Sequence, residues 1–513
     1  MRPVVCVTEH LHRDRAIAED AAAGRFTCVG ETRMLGTEPD WIDADLPADE
    51  EWRIEWVKFY YGLDLAHAHR ASGDARFLRA WERLVRSWLR RVPPASDSSD
   101  VTARRILNWI YAWQGFGALS AGLDRELVAG IRAQARHVRE HLTPERNHRT
   151  FELSALAIVA LALPELDERG DLLAFAVAEL DRNLAADFRP DGVHREASTH
   201  YHMIALRSFA GLRANARRFR VRLPEGFDDR LSRAFDFALH CRRPDGTIPA
   251  LSDADTGDYS ALLSLGGELL DRDDLRAGRA RECTATFIDG GYFVQRSGWE
   301  RDDRFLIFDC GPLGDGGHGH YDLLSVEAFA GGRPLIVDPG RFTYSEEPAN
   351  LRRWFRGTAA HNTVCVDGLD QTPYTRKAPA GPVAHGRFLG RTTAAGLDEL
   401  VAEAVSPVYE AVHRRRIRFV DGRRWIIEDR LRGERPHRYD LRFHLAPEAH
   451  GRTRVEGTTV VAPGVALVVR GADELALERG WVSPRYGVRL EAPVVSAVAH
   501  ARDAELTTEV VPL

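Results

Sequence analysis

Two periodicities divide this chain. Up to about residue 280, apolar positions recur at helical spacing. The segment EWRIEWVKFYYGLDLAHAHRASG places Trp52, Trp56, Phe59, Leu63 and Leu65 at helical spacings. Gly73 and Asp74 interrupt it, and ARFLRAWERLVRSWLRRV resumes the period as far as Pro93 and Pro94. Further helices are predicted at roughly 102–121, 124–141, 147–163, 168–185, 197–218 and 226–242, separated by short turns of Gly, Pro, Asp or Asn. Short connections make neighbouring helices antiparallel, as in a bundle, a solenoid or a closed α/α toroid. Beyond about residue 284 the pattern changes to short runs rich in Val, Ile, Leu and aromatics, cut by Gly, Pro and Asp. YFVQRSGW, RFLIFDCG, RPLIVDPG, NTVCVDG, RRWIIEDRL, YDLRFHLAP, TTVVAPGVALVVRG and YGVRLEAPVVSAV are the clearest. Strands at regular spacing without helices between them predict an antiparallel β-sandwich. The expected organisation is an irregular lead-in over 1–50, a helical domain over 51–280 and a β-sandwich domain over 281–513.

Composition narrows the functional classes. The chain has 513 residues, 44% hydrophobic and 28% charged, enough for two or three domains with large cores. A net charge of -6, with acids interleaved among the many arginines, argues against nucleic acid as a ligand. No run of about 18 apolar residues suggests a membrane span. The opening MRPVVCVTEHLHRDR does not read as a signal peptide. Cys6, Cys28, Cys241, Cys283, Cys310 and Cys365 are scattered without a CxxC pair, the pattern of buried free thiols. A cytoplasmic location is the resulting expectation.

The densest candidate chemistry lies between His318 and Thr363. His318 and His320 stand at i and i+2, the same face of an extended segment. Asp338 ends the apolar run RPLIVD, and His361 precedes NTVCVDG. His320, Asp338 and His361 offer two nitrogens and one oxygen, a sensible shell for zinc with an open position; the plainer alternative is a set of hydrogen-bonded polar residues. Arg352, Arg353 and Arg356 add forks suited to carboxylate or sulfate, or are simple surface charges. In the helical half, Asn147 and His148 open a predicted helix, where free amides favour an anion; a capping Asn beside a surface His is the bland reading. RPDGVHREASTHYHM brings Glu196, His200, Tyr201 and His202 to another helix start, with Tyr201 either a proton donor or a packed aromatic. Asp253 and Asp255, in IPALSDADTG, read most simply as a solvated turn.

In order along the chain, NHRT, DGVHREASTHYH, IPALSDAD, GHGHYDLLSVEAFAGGRPLIVDPG and FRGTAAHNTVCVDGLDQ resemble the heparinase II/III-like family of polysaccharide lyases. The likeness covers roughly residues 50–370, and TARRILNWIYAW also fits that family's helical domain. It implies an incomplete (α/α) toroid followed by an antiparallel β-sandwich. It also implies β-elimination on an anionic polysaccharide or oligosaccharide containing uronic acid: the C5 proton is removed and the C4 oxygen expelled. By resemblance, Asn147 and His148 neutralise the substrate carboxylate, Tyr201 donates to O4 or acts as base, and His318 is the alternative base. His320, Asp338 and His361 correspond to a structural zinc site. Arg105, Glu196, His202, Tyr344 and Arg356 are expected to contact substrate. Some members carry a second tyrosine shortly before the TxxHN segment; Trp354 and Phe355 occupy that stretch here, with Tyr344 upstream. A uronate C5-epimerase and a non-catalytic glycan-binding or biosynthetic accessory protein are the alternatives on the same scaffold. Heparan-type, alginate-type and exopolysaccharide substrates all present the required uronate.

Overall fold

The computed structural model describes every residue except 9–11, 43–44 and 348. The chain divides into two compact units, one of residues 1–187 with 204–228, the other of 188–203 with 229–513.

The first unit contains helices α1 (Arg15–Ala22), α2 (Glu50–Val57), α3 (Tyr61–Ser72), α4 (Ala75–Arg91), α5 (Ser99–Phe116), α6 (Leu123–Glu140), α7 (Arg146–Ala162) and α8 (Asp171–Asp187), and most of α9 (Thr199–Phe219). A small antiparallel hairpin, Arg25–Cys28 with Glu31–Met34, lies in the lead-in. The α3–α4 boundary follows the sequence signal. Gly73 closes α3 in the left-handed region at φ 70, and the Asp74 carboxylate accepts the Arg76 amide at 2.8 Å as the N-cap of α4. The single helix predicted from Trp52 onward is broken. Phe59 takes φ 62 between α2 and α3, which swings its ring into an aromatic core with Trp88 and Trp109. A bulky residue in that conformation costs roughly 1–2 kcal/mol. Full burial of Phe returns about 2–3 kcal/mol, so packing wins over helix continuity. Helix α7 is buried on nearly every side from Phe151 to Ala162, as its apolar run FELSALAIVALA requires of an inner helix.

The second unit is built on two antiparallel sheets. Five strands, Ala285–Phe287, Tyr292–Arg296, Phe305–Asp309, Val326–Ala330 and Arg333–Ile336, pair in chain order. A ten-stranded sheet is organised about two long strands, Arg424–His444 and Val488–Pro512, which pair along most of their length. Phe293, Leu306, Phe308 and Ala328 pack with Leu400, Ile417 and Trp425 of the larger sheet. The opposite face of the smaller sheet, with Tyr292, Val294, Phe305 and Ile307, packs on Phe237 and Cys241 of helix α10 (Phe227–Cys241). The smaller sheet is therefore covered on both faces, and its strands read as continuous apolar runs. Helices α11 (Ser260–Leu270), α12 (Asp273–Ala277) and α13 (Leu351–Arg356) complete the unit. No helix among the described residues is long and apolar enough to cross a membrane.

Candidate active site

One buried carboxylate organises the site in the second unit. Asp253 is fully buried, and its loop is fixed by two bonds: Ser198 Oγ donates to its carbonyl at 2.8 Å, and its amide donates to the His318 carbonyl at 3.1 Å. Arg352 on α13 grips it bidentately, with Nη2 to Oδ2 at 2.8 Å and Nη1 to Oδ1. The helix that presents this arginine is capped by Asn350, whose side chain accepts the Arg353 amide at 3.0 Å. Asp253 also faces His318 Nδ1 at 3.0 Å and His320 Nε2 at 2.9 Å. Burial disfavours its charge, yet Arg352 and the two histidines hold the carboxyl well below the usual range. The solvated-turn reading of this residue is thereby corrected.

His318 stacks on Tyr201, with ring centroids 3.8 Å apart and planes 23° from parallel. Its Nε2 lies 3.6 Å from the Glu196 carboxylate, so each ring nitrogen faces a carboxylate. The Tyr201 hydroxyl is 2.9 Å from that of Tyr344. Arg341 donates through Nη1 to the Tyr344 hydroxyl at 2.8 Å and is itself clamped by Asp255, from Nε at 3.0 Å and Nη2 at 2.8 Å. Asp255 further accepts the Tyr486 amide, and the Tyr486 hydroxyl accepts the Tyr344 amide, both at 3.0 Å. Burial raises the Tyr201 phenol above its ordinary value, with Arg341 and the bond to Tyr344 pulling it down. The phenol is consequently a proton donor at neutral pH. Tyr344 supplies the second phenol although the stretch before TxxHN holds Trp354 and Phe355.

His320, Asp338 and His361, all buried, bring their ligand atoms within 4.8 Å of one another. His361 Nδ1 faces Asp338 Oδ2 at 2.9 Å. His320 Nδ1 and His361 Nε2 are buried without a partner in hydrogen-bond geometry. Orphaned buried imidazole nitrogens are costly unless they bind something. Burial pushes His320 down to about 4, which keeps the imidazole neutral and able to ligate. Two imidazoles and a carboxylate fit zinc.

Three residues expected to contact substrate are engaged by protein partners. Arg356 is buried, spending Nε on the Gly319 carbonyl at 3.0 Å and Nη1 on those of Thr375 and Lys377. His202 is buried between the His194 amide and the Ala234 carbonyl, and burial lowers it to about 3. Arg105, in the first unit, is buried with Nη1 on Asp97 at 2.7 Å and Nε on Gln134 at 2.9 Å, over the Trp88 ring. In that same unit, Asn147 and His148 occupy the first turn of α7, as expected. Asn147 is buried, and His148 is half-exposed with Nε2 4.0 Å from the Asp100 carboxylate. Sequence reasoning missed Arg341 and underrated Asp253, Asp255 and Arg352; the available signal was the spacing DxGRxxY, which puts Arg341 three residues before Tyr344.

Comparison with known proteins agrees with this architecture. Residues 12–267 match the family model "Heparinase II/III N-terminus", and residues 279–511 match "Heparinase II/III-like, C-terminal". A heparin-sulfate lyase of Pedobacter heparinus is 22% identical over 477 residues, covering 86% of this chain and 70% of the relative. One of Bacteroides stercoris is 22% identical over 516 residues, covering 90% and 75%. Among solved structures, a heparinase III superposes over 100% of this chain and 88% of its own, with TM-score 0.85 and 17% identity. A second heparinase III covers 100% and 87%, with TM-score 0.76 and 20% identity. At such identities the structural likeness speaks for the fold: an incomplete (α/α) toroid followed by an antiparallel β-sandwich. With the two family models together spanning nearly its whole length, the chain belongs to the heparinase II/III-like family.

Proposed function

We propose that this protein is a polysaccharide lyase, a carbon–oxygen lyase that cleaves a uronic-acid-containing anionic glycan by β-elimination. The carrying observation is the stacked pair Tyr201 and His318, with a buried phenol on one side and an imidazole fixed by Asp253 on the other. His318 Nε2 takes the C5 proton. The electron pair left on C5 forms the C4=C5 double bond as the C4–O4 bond breaks, and the Tyr201 hydroxyl protonates the departing O4. No water is consumed, and the new chain end is an unsaturated uronate. Tyr344, held by Arg341, orients the Tyr201 hydroxyl and offers a route for its reprotonation. Charge accumulating on the uronate carboxylate needs neutralising donors, the part that the resemblance gives to Asn147 and His148. The relatives named heparin-sulfate lyases support a glycosaminoglycan of the heparan type as substrate.

The reading includes a zinc ion that His320, Asp338 and His361 would hold, supplying a structural cross-link and no step of the bond breaking. The test of the function is ultraviolet absorbance of purified protein with heparan sulfate, alginate and other uronate polysaccharides. A rise from conjugated product is expected with heparan sulfate, and Tyr201→Phe should lower the rate by about 10²–10⁴ while leaving glycan binding intact. Absence of any rise, with solvent deuterium appearing at C5, would replace lyase by epimerase.

A further inference from the structure

The last turn of α9 and the segment after it, all in the first unit, carry concentrated positive charge. From Ala197 to Pro224 the sequence has no Asp or Glu, yet it holds six arginines, four of them in RRFRVR at 217–222. Arg218, Arg220 and Arg222 are exposed, and their side chains make no ion pair or hydrogen bond among the described residues. Asp228, which follows in sequence, is engaged by Arg213 at 2.8 Å. Arg2 joins the cluster. Its amide donates to the Ala162 carbonyl at 2.7 Å, and its guanidinium lies 4.7 Å from the centre of the Phe219 ring.

Arginines in a last helical turn suit the helix dipole, but Arg220 and Arg222 lie past the end of α9. Arg220 stands in the left-handed region at φ 56, and the next amide, of Val221, donates back to the Ala216 carbonyl at 2.9 Å. Glycine is the usual residue at that place in a helix stop, and any side chain there is strained. An arginine kept at a strained position points to a use for its charge. The segment also borders an open groove of about 550 Å³, walled by Leu173 and Val177 of α8 and by Val221, Leu223 and Pro224. Arg222 lines it, and Glu225 is the single acid among the described lining residues. Unpaired guanidinium forks beside an apolar trough suit a chain that carries carboxylates or sulfates with C–H faces between them. Short basic runs are a recognised form of heparin-binding patch. Arg2 is tied to the last residue of α7, whereas Asn147 and His148 occupy its first turn. At 1.5 Å per residue the two places are about 22 Å apart, so the basic cluster is distinct from the residues assigned to the substrate carboxylate.

We propose that the end of α9 is a second, non-catalytic docking site for a long anionic glycan of the heparan type, with Arg218, Arg220 and Arg222 as its charge partners and Arg2 beside them. The choice of a glycan rests on the lyase reading; the choice of a polyanion rests on the arginines alone. A chain long enough to engage both ends of α7 binds more tightly than one that engages either.

The test is binding of the full chain to immobilised heparan sulfate over a range of salt, in a Tyr201→Phe background that leaves the glycan uncut. Arg218→Gln, Arg220→Gln and Arg222→Gln together should weaken binding at least about tenfold at ~0.15 M salt and flatten the log–log salt dependence by about 2–3. Arg79→Gln, Arg83→Gln and Arg132→Gln together remove the same charge from α4 and α6, and should weaken it less than about threefold. A loss no larger than that control's overturns the proposal. So does arginine-dependent binding to phosphatidylserine vesicles without such binding to heparan sulfate, which would make the surface a lipid contact. With Tyr201 restored, the triple substitution should raise KM for long heparan sulfate and leave kcat and the KM for a tetrasaccharide unchanged. An equal rise in both KM values would place the arginines at the reacting sugar and overturn the proposal. Ultraviolet absorbance keeps the two readings apart. Arginine-dependent binding without elimination leaves the docking site standing and removes the lyase; elimination without arginine-dependent binding does the reverse.

Discussion

Replacing Asp253 by Asn tests the claim that one buried carboxylate holds the second unit's site together. Asp253 is fully buried and meets three cationic or imidazole partners: Arg352, His318 and His320. Asn keeps the shape, loses the charge, and turns an NH₂ toward groups that are themselves donors. Arg352, 1% exposed, then keeps one amide oxygen, the Gly317 carbonyl at 3.1 Å and the face of Tyr344, none of them an anion. Breaking a buried ion pair by removing one partner costs about 3–5 kcal/mol, because the other charge is left stranded. The expected loss in urea-unfolding free energy is therefore about 3–5 kcal/mol, a large fraction of the stability of an ordinary domain. Arg352→Leu alone should also destabilise. The double substitution should cost less than the sum by about 2–3 kcal/mol, since no uncompensated charge remains. Chemical denaturation of the four proteins, followed by circular dichroism, supplies the cycle. Additive losses, or a single-variant loss under about 1 kcal/mol, would refute the reasoning.

Three other outcomes follow from the same geometry. Arg341→Met should lower kcat by roughly ten- to a hundredfold with KM little changed, because the Tyr344–Tyr201 hydroxyl pair loses its anchor; Arg341→Lys should recover only part, lacking the fork that Asp255 clamps. Elemental analysis of purified protein should find about one zinc per chain, lost in His361→Ala, and chelation should lower the melting temperature of wild type but not of that variant. Asp429, buried against Arg415 and His413, is held at about 2, so its contribution is present above about pH 4 and lost as pH falls through about 2. Acid titration of wild type against Asp429→Asn should show a stability gap of about 2 kcal/mol at pH 6 that closes by about pH 2; a gap independent of pH would overturn the assignment.

What the sequence revealed depended on whether a signal was local. Helix period, Gly73 with Asp74, and the i, i+2 histidines are local, and they placed the helices, Tyr201, His318 and the metal-type cluster. The strand Ala411–Val420 was missed although its burial alternates strictly. Two of its inward positions are His413 and Arg415, which look like surface residues until Asp429 of the neighbouring strand is seen to neutralise them. Asp253 failed for a related reason. SDAD reads alike in a solvated turn and in a buried one, and what buries it is Arg352, 99 residues later. Arg105 and Arg356 show the converse. An arginine's neighbours in sequence do not say whether its fork meets a ligand or, as here, a side chain or backbone carbonyl.

The sharing of Asp253 between His318 and His320 sets the proton positions of both rings. A carboxylate without a proton accepts only, so His318 carries its hydrogen on Nδ1 and His320 on Nε2. That leaves Nδ1 of His320 with its lone pair, as a cation's ligand requires, while Nε2 of His318 faces the Glu196 carboxylate at 3.6 Å. The two residues stand two apart in sequence, yet use opposite nitrogens because they approach opposite oxygens of one carboxylate. On the proposed reading, a zinc ion at His320 and a base at His318 would both lean on the same anion. Without such an ion, Nδ1 of His320 would be left buried and unpaired, a cost that would loosen its ring and weaken one of the bonds that position Asp253. A metal ion remote from bond breaking would then act on the rate only indirectly, through the carboxylate shared with His318, and Arg352 would limit the loss by holding that carboxylate bidentately.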